Sequence, residues 1–162
     1  MWTRLLRGAA AGAAGTTALN AVTYVEMAAR GRSASSTPER TVEKITSMLG
    51  VPIPGGDDDH GADTRSNRLQ GWGALAGLGT GVAVGALYAA VDDGMDGGLG
   101  RLPVGVAGML VGGAALVGAN APMAALGVSD PRDWSPADWV SDLVPHLAYG
   151  LVTAFAYAAM ER

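Results

Sequence analysis

The sequence predicts an all-α, polytopic membrane protein: a four-helix transmembrane bundle with two short interfacial amphipathic helices. Charged residues are confined to a few regions of the 162-residue chain. The apolar stretches between these regions are long enough, at 1.5 Å per residue, to cross roughly 30 Å of hydrocarbon. We therefore predict a single membrane domain over residues 1–162, whose spans cover residues 8–29, 69–91, 103–127 and 144–160.

The tryptophans support these boundaries independently. All four lie at predicted span ends: Trp2, Trp72, Trp134 and Trp139. Tryptophan is enriched at both membrane–water interfaces. The alternative is a soluble bundle of buried helices, but such helices usually carry one polar face, and the second and third predicted spans have none. The first span could instead be a signal peptide, but its length and the presence of Asn20 and Glu26 favour a retained membrane helix.

Two short amphipathic helices are predicted outside the spans, at about 37–49 and 135–143. Each begins with a hydroxyl residue, a proline and an acidic residue, in Ser36-Thr37-Pro38-Glu39 and in Ser135-Pro136-Ala137-Asp138. These residues favour a helix start. Apolar side chains then recur at helical spacing, which is typical of a helix lying on a membrane surface.

Glycines recur at every fourth position of the second span: Gly73, Gly77, Gly81 and Gly85. Helices in lipid associate through close van der Waals contact, which small residues permit. We therefore predict that this face packs against the first or third span, closer than the usual 8–10 Å between helix axes. The third span could supply a matching face: Gly105, Gly108, Gly112 and Gly118. The alternative is that the four glycines only reflect a composition with 25 glycines.

A polar cluster is predicted near one leaflet. The predicted topology brings Glu26, Asn120 and His146 to the same side, and Tyr149 shares a helix face with His146. Polar residues at membrane depth are costly and therefore mark functional candidates; this cluster could move protons or bind a small cation or a lipid headgroup. The alternative is structural, with side chains that join helices or reach the headgroups.

Several functional classes find no support in the sequence. The chain has no cysteine, and its 11 basic and 15 acidic residues form no patch suited to nucleic acid. It carries no hydrolase, kinase or nucleotide-binding motif. The run Asp57-Asp58-Asp59-His60, with Asp63, could bind a divalent cation, but it does not match EF-hand spacing. We expect a solvated loop there, and no enzyme activity, metal or cofactor.

Four short motifs carry a resemblance to a known group. They are Gly-Ala-Ala-Ala-Gly12, Thr-Pro-Glu-Arg40, Gly118-Ala-Asn-Ala-Pro-Met123 and Pro145-His-Leu-Ala-Tyr-Gly150. In these motifs the chain resembles the small bacterial inner-membrane proteins of the YagU-like kind, and more closely actinobacterial membrane proteins of the same layout. The resemblance implies four helices and an inner-membrane location, and it transfers no functional residue.

The sequence thus predicts a non-enzymatic, multi-pass protein of the bacterial cytoplasmic membrane. We expect an accessory or homo-oligomeric component whose partners are the lipid bilayer and either itself or another membrane protein. Arg4 and Arg7 flank the first span and favour cytoplasmic termini. The alternative function is a small transporter or proton-coupled membrane sensor that uses the polar cluster.

Overall fold

The computed structural model describes residues 1–55 and 59–161. These residues form an all-helical fold without strands. Its helices are α1 (Trp2–Arg30), α2 (Thr37–Met48), α3 (Asp59–Gly94), α4 (Val104–Ala125) and α5 (Pro136–Met160). A single 3₁₀ turn at Pro131–Asp133 precedes α5.

The four long helices run antiparallel in chain order, and ion pairs and hydrogen bonds join their ends. At one end of the bundle, the Arg4 guanidinium of α1 lies 2.6 Å from the Asp93 carboxylate of α3 and 3.4 Å from Glu161, which follows α5. At the opposite end, the Ser141 hydroxyl of α5 donates a 2.8 Å hydrogen bond to the Glu26 carboxylate of α1. We call these the Arg4 end and the Glu26 end.

The helices pack around α1 and α5. Helix α1 lies against both α3 and α5, and α4 packs mainly against α5. Helices α3 and α4 touch over a much smaller area, which leaves an apolar groove of about 180 Å³ between them. The groove is lined by Val84, Leu87, Tyr88, Val91, Leu99, Ala107, Leu110, Val111 and Ala114.

Three of the described helices are long and apolar enough to cross a membrane: α3 from His60, α4 and α5. Their outer faces expose large apolar side chains, among them Leu75, Leu87, Met109, Leu110 and Phe155. Exposed apolar surface of this kind is typical of contact with lipid. Helix α1 is not among the three, because its threonines, Asn20 and Tyr24 lower its mean hydropathy. The structure therefore supports three of the four predicted spans by length and composition.

Two helices differ from the predicted boundaries. Helix α3 begins at Asp59, whereas the predicted span begins at residue 69, because the polar residues before it continue the helix. The predicted surface helix 135–143 and the predicted span 144–160 form one helix, α5. Pro145 removes one helical hydrogen bond, but Ser141 and Asp142 bond to α1 and α4 and hold the helix in place before it.

The first predicted surface helix is present as α2. It packs against α3, where the Glu43 carboxylate lies 2.6 Å from the Arg65 guanidinium. No residue of α2 is fully buried, and its apolar residues Ile45 and Met48 are exposed. The exposed apolar face is compatible with the predicted location on a membrane surface, which stays a prediction.

Candidate functional site

Three polar side chains meet where α4 and α5 approach each other at the Glu26 end. The Asn120 amide of α4 donates a 2.7 Å hydrogen bond to the Asp142 carboxylate of α5 and a 3.0 Å bond to the Leu116 carbonyl. Nδ1 of His146 lies 2.8 Å from the Asp142 carbonyl and 3.4 Å from the Asp142 carboxylate. A titratable imidazole is thus placed beside a carboxylate that an amide orients, which is an arrangement suited to proton exchange.

Asp142 was missed in the sequence analysis, although it joins the two predicted residues. The predicted boundary placed residue 142 in a charged surface helix, outside the span that begins at 144. The spacing of Asp142 and His146 could have predicted that the two side chains are neighbours, because residues four apart share a helix face. Since α5 is continuous, the Asp142 carboxylate reaches Asn120 of α4, and the His146 ring lies beside it on the same face of α5.

Glu26 lies at the same end but does not join this cluster. Its carboxylate accepts hydrogen bonds from Arg30 at 2.6 Å and from Ser141 at 2.8 Å, and it also pairs with Arg32. The two guanidinium groups neutralise its charge. Glu26 thus lies at the same end of the bundle as Asn120 and His146, but its hydrogen-bond and ionic partners are Arg30, Arg32 and Ser141.

Tyr149 lies deeper in the bundle, with 1 % of its surface exposed. Its hydroxyl donates a 2.6 Å hydrogen bond to the Gly81 carbonyl of α3. A backbone carbonyl inside a helix can accept this second bond because oxygen has two lone pairs. Tyr149 thus connects α5 with α3, and its hydroxyl forms no hydrogen bond with the three residues with which it was grouped.

A second polar cluster closes the Arg4 end. Asp92 of α3 is a buried carboxylate, 3 % exposed, that accepts a 2.8 Å hydrogen bond from the Gly100 amide and lies 3.4 Å from the Tyr157 hydroxyl. The predicted second span ends at residue 91, which left Asp92 outside it. Its burial follows from the continuation of α3 to Gly94, which turns the side chain toward α5 and under the loop that carries Gly100.

The glycines produce two very close helix crossings, of which α1 and α3 form the first. A Cβ atom at Gly85 would lie 2.6 Å from the Gly12 Cα and would clash with the Gly8 carbonyl. A Cβ atom at Gly81 would clash with the Thr16 hydroxyl, also of α1. Gly81 and Gly85 thus lie against the first predicted span.

The other two predicted glycines lie elsewhere. Gly73 contacts Pro38 and Glu39 of α2, and a Cβ atom at Gly77 would meet nothing within 4 Å. The prediction that Gly77 is packed is therefore wrong. Helices that cross at an angle stay in backbone contact only near the crossing point, which here lies at Gly85.

The second crossing joins α4 and α5. A Cβ atom at Gly150 would lie 2.7 Å from the Gly112 Cα and would clash with the Gly108 carbonyl. Gly108 and Gly112 of α4 therefore face α5. The predicted match was between the glycines of the third span and those of the second span, which is now α3. Of the other three α4 glycines, Gly105 and Gly113 meet nothing within 4 Å, and Gly118 only reaches Val84 at 4.0 Å.

The loop between α4 and α5 fixes the start of α5. The Asp130 carboxylate accepts hydrogen bonds from the Arg132 amide and guanidinium, and this arginine lowers the pKa of Asp130 to about 2. The Ser135 hydroxyl and the Asp138 carboxylate then cap the first turn reciprocally. The helix start is thereby specified locally, which sets the register that brings Asp142 to Asn120.

Metal and cofactor sites find little support. Across residues 1–55 and 60–161, no three histidine or acidic side chains converge as metal ligands do. The acidic run considered as a cation site includes Asp57 and Asp58, which lie outside the described residues. A second groove, between α4 and the start of α5, is almost entirely apolar and includes Trp134 and Trp139.

No family model, curated protein or solved structure matches this chain.

Proposed function

We propose that this chain is a non-enzymatic integral membrane protein of a bacterial inner membrane, which acts as an accessory or homo-oligomeric component. The resemblance to the YagU-like proteins belongs to this proposal. The observation that carries it is the distribution of side chains on α5. The buried face of this helix contains no large aliphatic residue, whereas Leu143, Val144, Leu151 and Phe155 are exposed.

Such a distribution is expected in lipid and not in water. In water, burial of aliphatic side chains drives helices together. In lipid the chains around the protein are as apolar as leucine, so small and polar residues hold the interfaces. The glycine crossings and the bonds from Ser141, Asp142 and Tyr149 to neighbouring helices fit the second case.

A structural role for the polar groups supports the non-enzymatic part of the proposal. Ser141 is the hydroxyl nearest in sequence to the Asp142–His146 pair. It donates to Glu26 and accepts from Arg30 at 2.9 Å, so it is not placed as a nucleophile activated by His146. The hydrogen bonds at both bundle ends instead join one helix to another.

The groove between α3 and α4 offers a surface through which two copies of the chain can associate. Its lining is almost wholly apolar, and the bundle is least tightly packed there. The mass of the protein–lipid particle, measured by native mass spectrometry from detergent or nanodiscs, tests this part of the proposal. We expect a dimer or larger species, and a monomer under all conditions would contradict self-association.

The membrane assignment itself is tested by extraction of bacterial membranes with alkaline carbonate. An integral protein stays in the membrane pellet, because carbonate removes only peripheral proteins. Release of the chain into the supernatant would contradict the proposal.

A second candidate function is a small transporter or proton-coupled sensor. The observation in its favour is that Asp142 lies between Asn120 and His146, so that an ionisable pair occupies an otherwise apolar helix interface. In proteoliposomes, H146A should abolish a pH-dependent flux while the melting temperature stays close to that of wild type. Loss of thermal stability without loss of flux would favour the purely structural role.

A further inference from the structure

The buried face of α5 carries a row of polar groups along its whole length. Asp142 and His146 are followed by Tyr149, Thr153 and Tyr157, whose exposed fractions are 1 %, 0 % and 1 %. Residues spaced by three or four positions share one helix face. Asp92 of α3 lies 3.4 Å from the Tyr157 hydroxyl and extends the row to the Arg4 end. We call these six residues the α5 row.

Thr153 differs from three other threonines that lie within the long helices. Thr16, Thr17 and Thr80 each donate to the carbonyl four residues earlier, at 2.8 to 3.1 Å. The Thr153 hydroxyl is fully buried and forms no hydrogen bond of acceptable geometry with a described residue. It lies in the space that Gly15 leaves without a side chain and interacts only loosely with the Tyr149 side chain.

An unpartnered hydroxyl in this position requires an explanation. Burial of a hydroxyl without a hydrogen bond costs about 1–3 kcal/mol. Valine has nearly the same shape and would avoid this cost. A hydroxyl that is free to accept and donate is, however, what a relay of protons needs at the centre of an apolar bundle.

The row has a carboxylate at each end, and no other Asp, Glu, Lys or Arg lies between them. At 1.5 Å per residue, α5 rises about 22 Å from Asp142 to Tyr157, which is most of a hydrocarbon core of about 30 Å. No Asp, Glu, Lys or Arg lies within 8–25, 69–91, 104–125 or 143–160. Between the two carboxylates, His146 is therefore the only side chain of the row that can carry a positive charge.

Other charged and titratable groups surround the two ends of the row. At the Glu26 end, Glu26 and Arg30 of α1 contact Ser141, next to Asp142, and α4 presents the uncharged Asn120. At the Arg4 end these groups are Arg4 and Arg7 of α1, Asp93 and Tyr88 of α3, and Glu161. Of these groups, the partly exposed carboxylates Glu26, Asp93 and Glu161 can exchange protons with water.

We propose that the α5 row is a path along which protons cross the bundle. A proton enters at one terminal carboxylate, each imidazole or hydroxyl group accepts a proton on one side and donates one on the other, and a proton leaves at the opposite carboxylate. Water bridges the intervals that exceed one hydrogen bond. Every group returns to its starting state. This inference rests on the second candidate function, for which it supplies the route.

The test measures proton flux into proteoliposomes that contain the full chain and an enclosed pH-sensitive dye. A potassium gradient with valinomycin supplies the driving potential. Wild type should conduct above protein-free liposomes, and T153V and Y157F should lower the flux about tenfold or more, because each removes one hydroxyl from the relay. T17V is the matched control, since Thr17 is an exposed threonine of α1 and lies outside the row. It should conduct like wild type.

The results for these variants distinguish a failure of the proposed path from a failure of the transporter function on which it rests. T153V should melt at or above the wild-type temperature, because the hydroxyl that it removes has no partner. If H146A abolishes flux while T153V and Y157F conduct like wild type, the transporter stands and the path is wrong. If wild-type flux equals that of empty liposomes, both the function and the path are wrong. If T153V loses flux only in proportion to its loss of folded protein, the path is wrong.

Discussion

The Asn120 amide donates a 2.7 Å hydrogen bond to the Asp142 carboxylate, and this bond joins α4 to α5 at the Glu26 end of the bundle. The amide also bonds to the Leu116 carbonyl of its own helix, which fixes its orientation. The carboxylate in turn lies 3.4 Å from the His146 ring. The contact therefore links helix packing with the one buried imidazole of the described residues.

This contact should be measurable as a coupling energy. We expect N120A and D142A to lower the free energy of unfolding, and their double-mutant cycle to give a coupling of about 1–2 kcal/mol, since polar contacts between membrane helices seldom exceed this. Denaturant unfolding in mixed micelles measures the four proteins. The pair Asn120 and Asp138 is the control, because Asp138 bonds to Ser135 instead. Additive effects of N120A and D142A would contradict the contact.

The glycine crossings should respond very differently to substitution. G85L and G150L should lower the melting temperature strongly, because each side chain would meet the backbone of another helix, and overpacking alone costs about 1–3 kcal/mol or more. G77L should leave the melting temperature unchanged, because a Cβ atom there meets nothing. Melting of the detergent-solubilised variants measures both effects. Equal melting of G77L and G85L would contradict the packing described above.

The carboxylate of Glu26 should contribute to the closure of its bundle end. Arg30, Arg32 and Ser141 all bond to it, and its side chain is 21 % exposed. E26Q should lower the free energy of unfolding, and by less at high salt, since screening weakens partly exposed ion pairs. E43Q is the control, because Glu43 is more exposed and has a single ionic partner, Arg65. A larger effect of E43Q than of E26Q would contradict this ranking.

Much of the fold could be predicted from the sequence because it depends on local patterns. Apolar length predicts α3, α4 and α5, and the Ser135-Pro136 start and its capping box are local features. The continuity of α5 through Pro145 could not be predicted, because it depends on bonds to α1 and α4. Proline alone favours a break.

The candidate site was only partly predictable for the same reason. Asn120 and His146 could be identified as polar residues in apolar spans. Asp142 and Asp92 lie just outside the predicted spans, where a charge normally meets water, and only tertiary packing buries Asp92 or directs Asp142 to Asn120. The pairing of glycine faces likewise depends on which helices are neighbours. Composition and spacing do not determine which helices these are.

The central claim is that all four long helices cross a membrane, with the Arg4 end on one side and the Glu26 end on the other. The chain has no native cysteine, so single cysteines can be placed at will. T3C and R101C lie at the Arg4 end, whereas S66C and D133C lie at the Glu26 end, and all four positions are exposed.

Labelling of these variants with a membrane-impermeant maleimide, in vesicles of known orientation, tests the claim most directly. We expect T3C and R101C to react from one side of the membrane, and S66C and D133C from the other. If T3C reacts from the side of S66C and D133C, α1 does not cross the membrane, and the four-span account is wrong.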